Sequence, residues 1–270
     1  MRCVSSGSEE RWPTVTKLRD ICGKLSSSLK CHPVVLETCS STQDVGRELA
    51  DAGAPEGTLV IAREMTSGRG RMGRRWVAGP EGLWFTLILR PPSTTNVHLI
   101  PLAAGVAVAE SLRRCGFDAR IKWPNDVLVK GFKVSGVLTE GVAEGMLRYV
   151  LLGVGVNTNN NIPYELKGIA SSLRELSGQY VSNYAVLKNF MEVLGSLYQE
   201  LSSGNEEEVL TAWRRRNCTL GRAVKVILPN GAEFTGIATD VEGDGSLRVK
   251  TDEGEVVVMS GDVIHLRLEV

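Results

Sequence analysis

Nine residues concentrate the charge chemistry of this chain: Gly68-Arg69-Gly70-Arg71-Met72-Gly73-Arg74-Arg75-Trp76. Arginine carries a planar fork that grips phosphate or carboxylate through two parallel hydrogen bonds. Glycine lets the backbone approach a ligand closely and adopt positive φ. Together they read as a loop that folds over an anionic substrate. The elements that must hold it flank it. An apolar run, Leu59-Val60-Ile61-Ala62, precedes it, and a second, Leu83-Trp84-Phe85-Thr86-Leu87-Ile88-Leu89, follows Gly79-Pro80 and Glu81-Gly82. The pattern is strand, flexible basic loop, strand.

Other readings of these nine residues fit less well. Gly68-x-Gly70-x-x-Gly73 has the spacing of the dinucleotide-binding fingerprint, but that motif leads into a helix and has an acidic residue about 20 positions on. Here a Gly/Pro-rich stretch and a strand follow, and the position twenty after Gly73 is Ser93. No Gly-Lys-Ser/Thr follows, so the nucleotide P-loop is excluded. Arg/Gly segments that bind RNA usually repeat within disordered sequence, whereas this one occurs once between strands. A solvated basic hairpin tip is the plain alternative.

The chain has 270 residues, 43% of them hydrophobic, with 31 Lys+Arg against 31 Asp+Glu. That is enough for a sizeable core and one large domain plus a small one. The zero net charge does not suggest general affinity for nucleic acid or an anionic membrane. No apolar run reaches the ~18 residues of a membrane span. Met1 to Gly7 lacks the apolar core of a signal peptide, and Glu9-Glu10 argue against a transit peptide, which leads to the expectation of a cytoplasmic protein. Six cysteines without a C-x-x-C pair lead to the expectation of reduced thiols rather than a disulfide or zinc framework.

In chain order, residues 1–16 read as loose, and a weak amphipathic helix is expected from Lys17 to Leu29. A short strand at Val34-Val35-Leu36 runs into Ser40-Ser41-Thr42-Gln43-Asp44. Ser41 can cap a helix through Val45, Leu49 and Ala52 that stops at Gly53. Alternatively, the hydroxyls of Ser41 and Thr42 face a polar ligand at the helix N-terminus. Asn96 to Cys115 reads as an apolar helix ended by Gly116. Ala119 to Asp126 reads as a strand ending in a turn. Val127-Leu128-Val129, Lys130-Gly131 and Lys133 to Glu140 read as a hairpin, followed by a strand from Tyr149 to Val156. Helices are expected over Ser182–Ser202 and Glu206–Arg216. From Ala223, short alternating strands split by Asn230-Gly231, Gly243-Asp244-Gly245, Asp252-Glu253-Gly254 and Ser260-Gly261 suggest a small all-β barrel, with a boundary near Asn217–Gly221.

His32, His98 and His265 adjoin no Ser or Cys nucleophile motif, and no Cys/His cluster offers a metal cage. What remains is cationic and hydroxylic: Ser41, Thr42, Arg69, Arg71, Lys122 and Lys133, with Asn125, Asp126 and Asn157. This set suits phosphoryl or adenylyl transfer, which needs charge stabilisation and in-line positioning more than a covalent partner. One or two carboxylates would be enough for Mg²⁺, which keeps several of its waters.

The Arg/Gly loop, then Lys122-Trp123-Pro124-Asn125-Asp126-Val127, then Lys133-Val134-Ser135-Gly136-Val137-Leu138-Thr139-Glu140, resemble the biotin protein ligase family. Ser41-Thr42 and Gly153-Val154-Gly155-Val156-Asn157 match as well, so the likeness runs in order from about Val34 to the C-terminus. The resemblance implies an enzyme that joins biotin and ATP as biotinyl-5′-AMP and passes the biotinyl group to a lysine of a biotin carboxyl carrier domain. It implies an α/β (α+β) fold: a mixed central sheet flanked by helices, akin to class II aminoacyl-tRNA synthetases, plus a C-terminal SH3-like barrel. The expected division is an extension over 1–32, a catalytic domain over 33–218 and the small domain over 219–270. Biotin would meet Ser41, Thr42, Gln43, Met65, Arg69, Gly70, Arg71 and Lys133. ATP and the adenylate would meet Arg69, Arg71, Trp76, Lys122, Asn125, Asp126 and Asn157, with Mg²⁺ on Asp126. Arg69 and Lys133 are the expected catalytic pair, and Trp76 and Trp123 could wall the site. A homodimer is implied.

Two positions depart from the family pattern: Gln43 stands where Asn is usual, and Met65 where Gln is usual. A lost buried hydrogen bond costs on the order of 1–3 kcal/mol, so weaker biotin binding is expected. Only about thirty residues precede the match, without a basic recognition helix, so the expectation is a monofunctional ligase that binds no specific DNA. The competing functions are a lipoate or octanoyl transferase, and a biotin sensor that has lost its chemistry. An RNA-binding module would need net positive charge and an aromatic stacking platform, and this sequence offers neither.

Overall fold

The computed structural model describes residue 18, residues 29–93 and residues 95–266. The extension expected to be loose over 1–16, and most of the helix expected over Lys17–Leu29, lie outside the described residues.

Two sheets organise the chain. The larger has seven strands: β1 (His32–Cys39), β2 (Thr58–Met65), β3 (Leu83–Leu89), β4 (Ala119–Lys122), β5 (Asp126–Val129), β6 (Phe132–Glu144) and β7 (Met146–Val156). Their spatial order is β1-β2-β3-β7-β6-β5-β4. β1 and β2 are parallel, joined through helix α1 (Thr42–Asp51), and every other neighbouring pair is antiparallel. The sheet is therefore mixed, as expected.

β3 is buried along its whole length, because helices cover both faces. Leu83, Phe85, Leu87 and Leu89 face the main core, which they share with α2 (Ile100–Arg114), α4 (Asn183–Ser202) and α5 (Glu206–Arg216). The alternate residue Ile88 joins Leu151, Tyr149 and Ala50 of α1 in a second, smaller cluster on the opposite face. The functional cleft lies on this second face, beside α1. A short helix, α3 (Leu173–Ser177), is fixed by a capping box between Ser172 and Glu175.

The C-terminal strands are β8 (Ala223–Ile227), β9 (Glu233–Val241), β10 (Leu247–Thr251), β11 (Gly254–Val258) and β12 (Asp262–His265). The four turns expected from Gly and Asn spacing all separate strands. The expected SH3-like barrel, however, is not formed. The order is β11-β10-β9-β8-β12, an open sheet whose edge strands, β11 and β12, do not pair with each other. The apolar side of this sheet is already covered. Val224, Val226, Ala238, Leu247, Val249 and Val263 belong to the same core cluster as Leu99, Leu102 and Trp123 of the larger unit. A face buried against a neighbour has no need to close on itself. Alternation in the sequence reports one buried face and does not distinguish these two ways of burying it.

Cys39 and Cys218 are free thiols, whereas Cys31 and Cys115 are disulfide-bonded. The expectation of six reduced thiols therefore fails at these two. Disulfide formation depends on how the fold brings Cβ atoms together, which motif spacing does not report. Among the described residues, no helix is long and apolar enough to cross a membrane.

Candidate functional site

The register of the large sheet builds the floor of the site. Trp84 of β3 lies opposite Gly155 of β7, which lies opposite Gly136 of β6, which lies opposite Asp126 of β5. One row along, Thr86, Gly153 and Leu138 align in the same way. Strand side chains alternate between faces, so Gly136, Gly153 and Gly155 leave a bare patch on one face. The patch is filled from above. A Cβ on Gly155 would come within 2.8 Å of the Trp76 indole, one on Gly153 within 2.9 Å of the Gln43 amide, and one on Gly136 within 3.2 Å of Trp76.

A cleft of about 510 Å³ opens over this floor. Ser41, Thr42, Gln43, Met65, Arg69, Gly70, Arg71, Trp76, Lys122, Asn125, Asp126 and Lys133 all line it. Two expected residues do not. Asn157 is buried outside the cleft, where its side chain accepts from Asn160 and its backbone N–H donates to Val134. Trp123 is also buried, and its indole N–H donates to the Gly245 carbonyl at 3.0 Å. It joins the two sheets rather than walling the cleft.

At one end of the cleft, α1 begins. Ser41 is its N-cap and accepts from the Gln43 backbone N–H. The Thr42 hydroxyl accepts from Thr86 at 2.9 Å, and both its backbone N–H and its hydroxyl point to Met65 Sδ, at 3.3 and 3.6 Å. Met65 therefore serves as a weak acceptor. The Gln43 side chain donates to the Leu138 carbonyl at 3.2 Å, while its buried Oε1 has no donor among the described residues. The Trp76 indole N–H is likewise buried and has no acceptor among the described residues. Groups of this kind are costly unless a ligand or water completes them.

At the other end lie the charges. Lys133 Nζ is 2.6 Å from Asp126 Oδ1 and 5.5 Å from the Trp76 ring centroid. Asn125 donates to the Val137 carbonyl, which fixes the turn before Asp126. The Arg/Gly loop lies across the cleft as a small hairpin, with Gly70 donating to Arg74 and Trp76 to Gly68 through the backbone. Met72 sits at its tip with φ 56°, a left-handed conformation that a side-chain-bearing residue seldom adopts.

The loop arginines differ sharply. Arg69 is held by Asp44 at 2.6 Å and by Glu140 at 3.2 Å, and Glu140 also binds Arg47. Burial acts to lower the Arg69 pKa, but the bonds to Glu140 and Asp44 outweigh it and hold the guanidinium above its ordinary value. Arg71 is half-buried and has no carboxylate bonded to it among the described residues. It donates to Ser260 Oγ and to the Gly261 carbonyl, and burial lowers its pKa, with only partial relief from Asp262 and Asp126. Arg74 pairs with Asp262. Among the described residues, no group of three or more His, Cys, Asp or Glu is placed to hold a metal ion.

Sequence reasoning missed Glu140, the glycine floor and the contribution of β12. The alternating Gly153 and Gly155 within a strand were the available signal for the floor. Nothing in the sequence placed Glu140 or Asp262 beside the loop.

Comparison with known proteins bears on this arrangement. Residues 35–157 match the Biotin/lipoate A/B protein ligase family, and residues 219–266 match the Biotin protein ligase C terminal domain. The chain is 36% identical over 240 residues to the bifunctional ligase/repressor BirA of Bacillus subtilis, covering 86% of this chain and 73% of that protein. It is 32% identical over 257 residues to the biotin–[acetyl-CoA-carboxylase] ligase of Mycobacterium tuberculosis, covering 93% and 94% of the two chains. The structure is similar to that of a biotin protein ligase from Aquifex aeolicus in complex with biotin and ATP, with a TM-score of 0.72 at 28% identity, covering 88% of this chain and 99% of that one. Both matched regions follow in the same order as the cleft and the sheet that flanks it, and the chain belongs to the biotin protein ligase family.

Proposed function

We propose that the chain is an ATP-dependent ligase that activates biotin as biotinyl-5′-AMP and transfers it to a lysine of a biotin carboxyl carrier domain. The observation that carries this reading is a single cleft holding hydroxyl and amide groups at one end and Lys133, Asp126 and Arg71 at the other. A small uncharged head fits the first end, and a carboxylate and phosphate fit the second. The carboxylate of biotin attacks the α-phosphorus of ATP, pyrophosphate leaves, and a mixed anhydride forms. An amine of the acceptor then attacks the anhydride carbonyl and AMP leaves.

In this reading Ser41, Thr42, Gln43, Met65 and Gly70 surround the biotin head. Lys133, pre-placed by Asp126, meets the carboxylate and steadies the anhydride. Arg71 is open to a phosphate, since its present acceptors are neutral. Arg69 borders the site while holding α1 and β6 together through Asp44 and Glu140, which narrows the role expected for it. Lys122, Asn125 and Trp76 border the nucleotide. Asp126 is the residue that would hold Mg²⁺. A single carboxylate suits an ion that arrives on the nucleotide phosphates and keeps most of its waters. When bound, it would neutralise charge on the departing pyrophosphate. The division into 1–32, 33–218 and 219–270 is part of this proposal and is supported by the spans of the two family matches. A homodimer belongs to the same reading and rests on the family resemblance.

The test is biotin-dependent exchange of labelled pyrophosphate into ATP. Exchange that requires biotin and collapses in Lys133→Ala supports adenylate formation. Exchange driven by lipoate in place of biotin would overturn the substrate, and biotin binding without any exchange would favour a sensor.

A further inference from the structure

The Arg/Gly loop is anchored from outside the large sheet. Arg74 Nη2 lies 2.7 Å from Asp262 Oδ1. Arg71 donates to Ser260 Oγ at 2.9 Å and to the Gly261 carbonyl at 3.3 Å. These three acceptors are consecutive residues that lead into β12, nearly two hundred positions from the loop. Their own position is fixed. β12 pairs with β8 from Asp262 opposite Ile227 onward, and a Cβ on Gly261 would meet the Ile227 carbonyl oxygen at 2.9 Å. The turn therefore lies flat against β8. The loop itself is rich in glycine and in like charges, which disfavour a single packed arrangement.

Building on the adenylating reading above, we infer that Asp262 is a positioning residue for that reaction. It holds Arg74, and with Ser260 and Gly261 it sets the turn so that Arg71 faces the cleft. The open C-terminal sheet is in this way part of the nucleotide end of the site. Asp262 acts through Arg74, and pairing also neutralises a carboxylate that would otherwise repel a triphosphate at the rim of the cleft.

The experiment combines amide hydrogen exchange over residues 68–76 with the KM for ATP in pyrophosphate exchange, on the full chain. The variants are Asp262→Asn, Asp262→Glu, Arg74→Gln and the Asp262→Asn/Arg74→Gln double. One partly exposed charge pair accounts for an effect of about threefold to fivefold. Asp262→Asn is expected to speed amide exchange and raise the ATP KM by about that factor, with kcat nearly unchanged. Asp262→Glu is expected to restore both, and Asp262→Asn should add nothing in the Arg74→Gln background. Unchanged amide exchange in Asp262→Asn overturns the inference, as does an ATP KM that does not follow the loosened loop, or an effect that persists without Arg74. A wild type that exchanges no pyrophosphate would remove the adenylating reading, while amide exchange would still decide whether Asp262 holds the loop.

Discussion

Arg69 and Arg71 stand two positions apart in one loop, in opposite surroundings. The flank facing α1 and β6 offers carboxylates: Asp44 and Glu140 hold Arg69, with Arg47 sharing Glu140. The flank facing the C-terminal sheet offers Arg71 a hydroxyl and a carbonyl. The two arginines are therefore equivalent in sequence and unequal in availability. A guanidinium already neutralised by two carboxylates gains little from a phosphate. One resting on neutral acceptors in a partly desolvated place gains much.

The largest expected effect follows from that contrast. Arg71→Ala should lower biotin-dependent pyrophosphate exchange by about 10²–10³, the usual cost of removing a group that stabilises transition-state charge. An equal or larger loss in Arg69→Ala than in Arg71→Ala would break the comparison. The floor beneath both flanks comes next. Gly155→Ala places a methyl within 2.8 Å of the Trp76 indole and should displace it from the cleft. Biotin binding should weaken by about tenfold or more, at a cost of roughly 1–3 kcal/mol for overpacking. Calorimetric affinity equal to wild type would show that Trp76 is not confined by the floor.

Arg69→Ala should act mainly on stability. Asp44 is partly exposed and Glu140 keeps Arg47, so loss of the shared cation should cost up to about 1 kcal/mol, read from denaturant midpoints. Met65→Gln addresses the biotin end. An amide there would replace a weak sulfur acceptor and should tighten biotin binding by about fivefold to tenfold, one hydrogen bond's worth. Unchanged or weaker binding would sink that assignment.

The smallest effect lies at the junction behind β12. His265 is pushed down to about 4 by burial, with Lys122 and Arg222 adding to the shift, and its Nε2 lies 3.2 Å from Thr219 Oγ1. A histidine buried in its neutral form is protonated first in the unfolded chain. Its contribution is therefore fully present above the ordinary value of about 6.5 and is lost as pH falls from there toward about 4. Thermal midpoints between those pH values should fall less steeply in His265→Gln than in wild type. Parallel curves would show that His265 does not carry this dependence.

Much of the fold was legible before the structure. The Ser41 cap, the strands around the basic loop, the hairpin through Lys130-Gly131, and the helices over Asn183–Ser202 and Glu206–Arg216 follow from local periodicity and turn chemistry. The cationic and hydroxyl side chains that line the cleft were legible too, because arginine, lysine and hydroxyl groups at motif spacing declare their chemistry by type, whereas its glycine floor and its β12 rim were not. Asn157 and Trp123 show the limit of this reasoning. Both lie in recognisable motifs, yet one closes a strand end and the other joins two sheets, since motif membership does not report which way a side chain faces.

By itself, the sequence determined the alternation of the C-terminal strands, the glycines of the loop and of the floor, and the set of charges available for catalysis. These are properties of single residues and of near neighbours. Only the tertiary structure decided that the C-terminal sheet stays open, that Arg69 is neutralised while Arg71 is not, and that Asp262 reaches the loop. Each of these depends on groups far apart in the chain. Coulombic pairing and burial act over a few ångströms of space, whatever the number of residues between the partners.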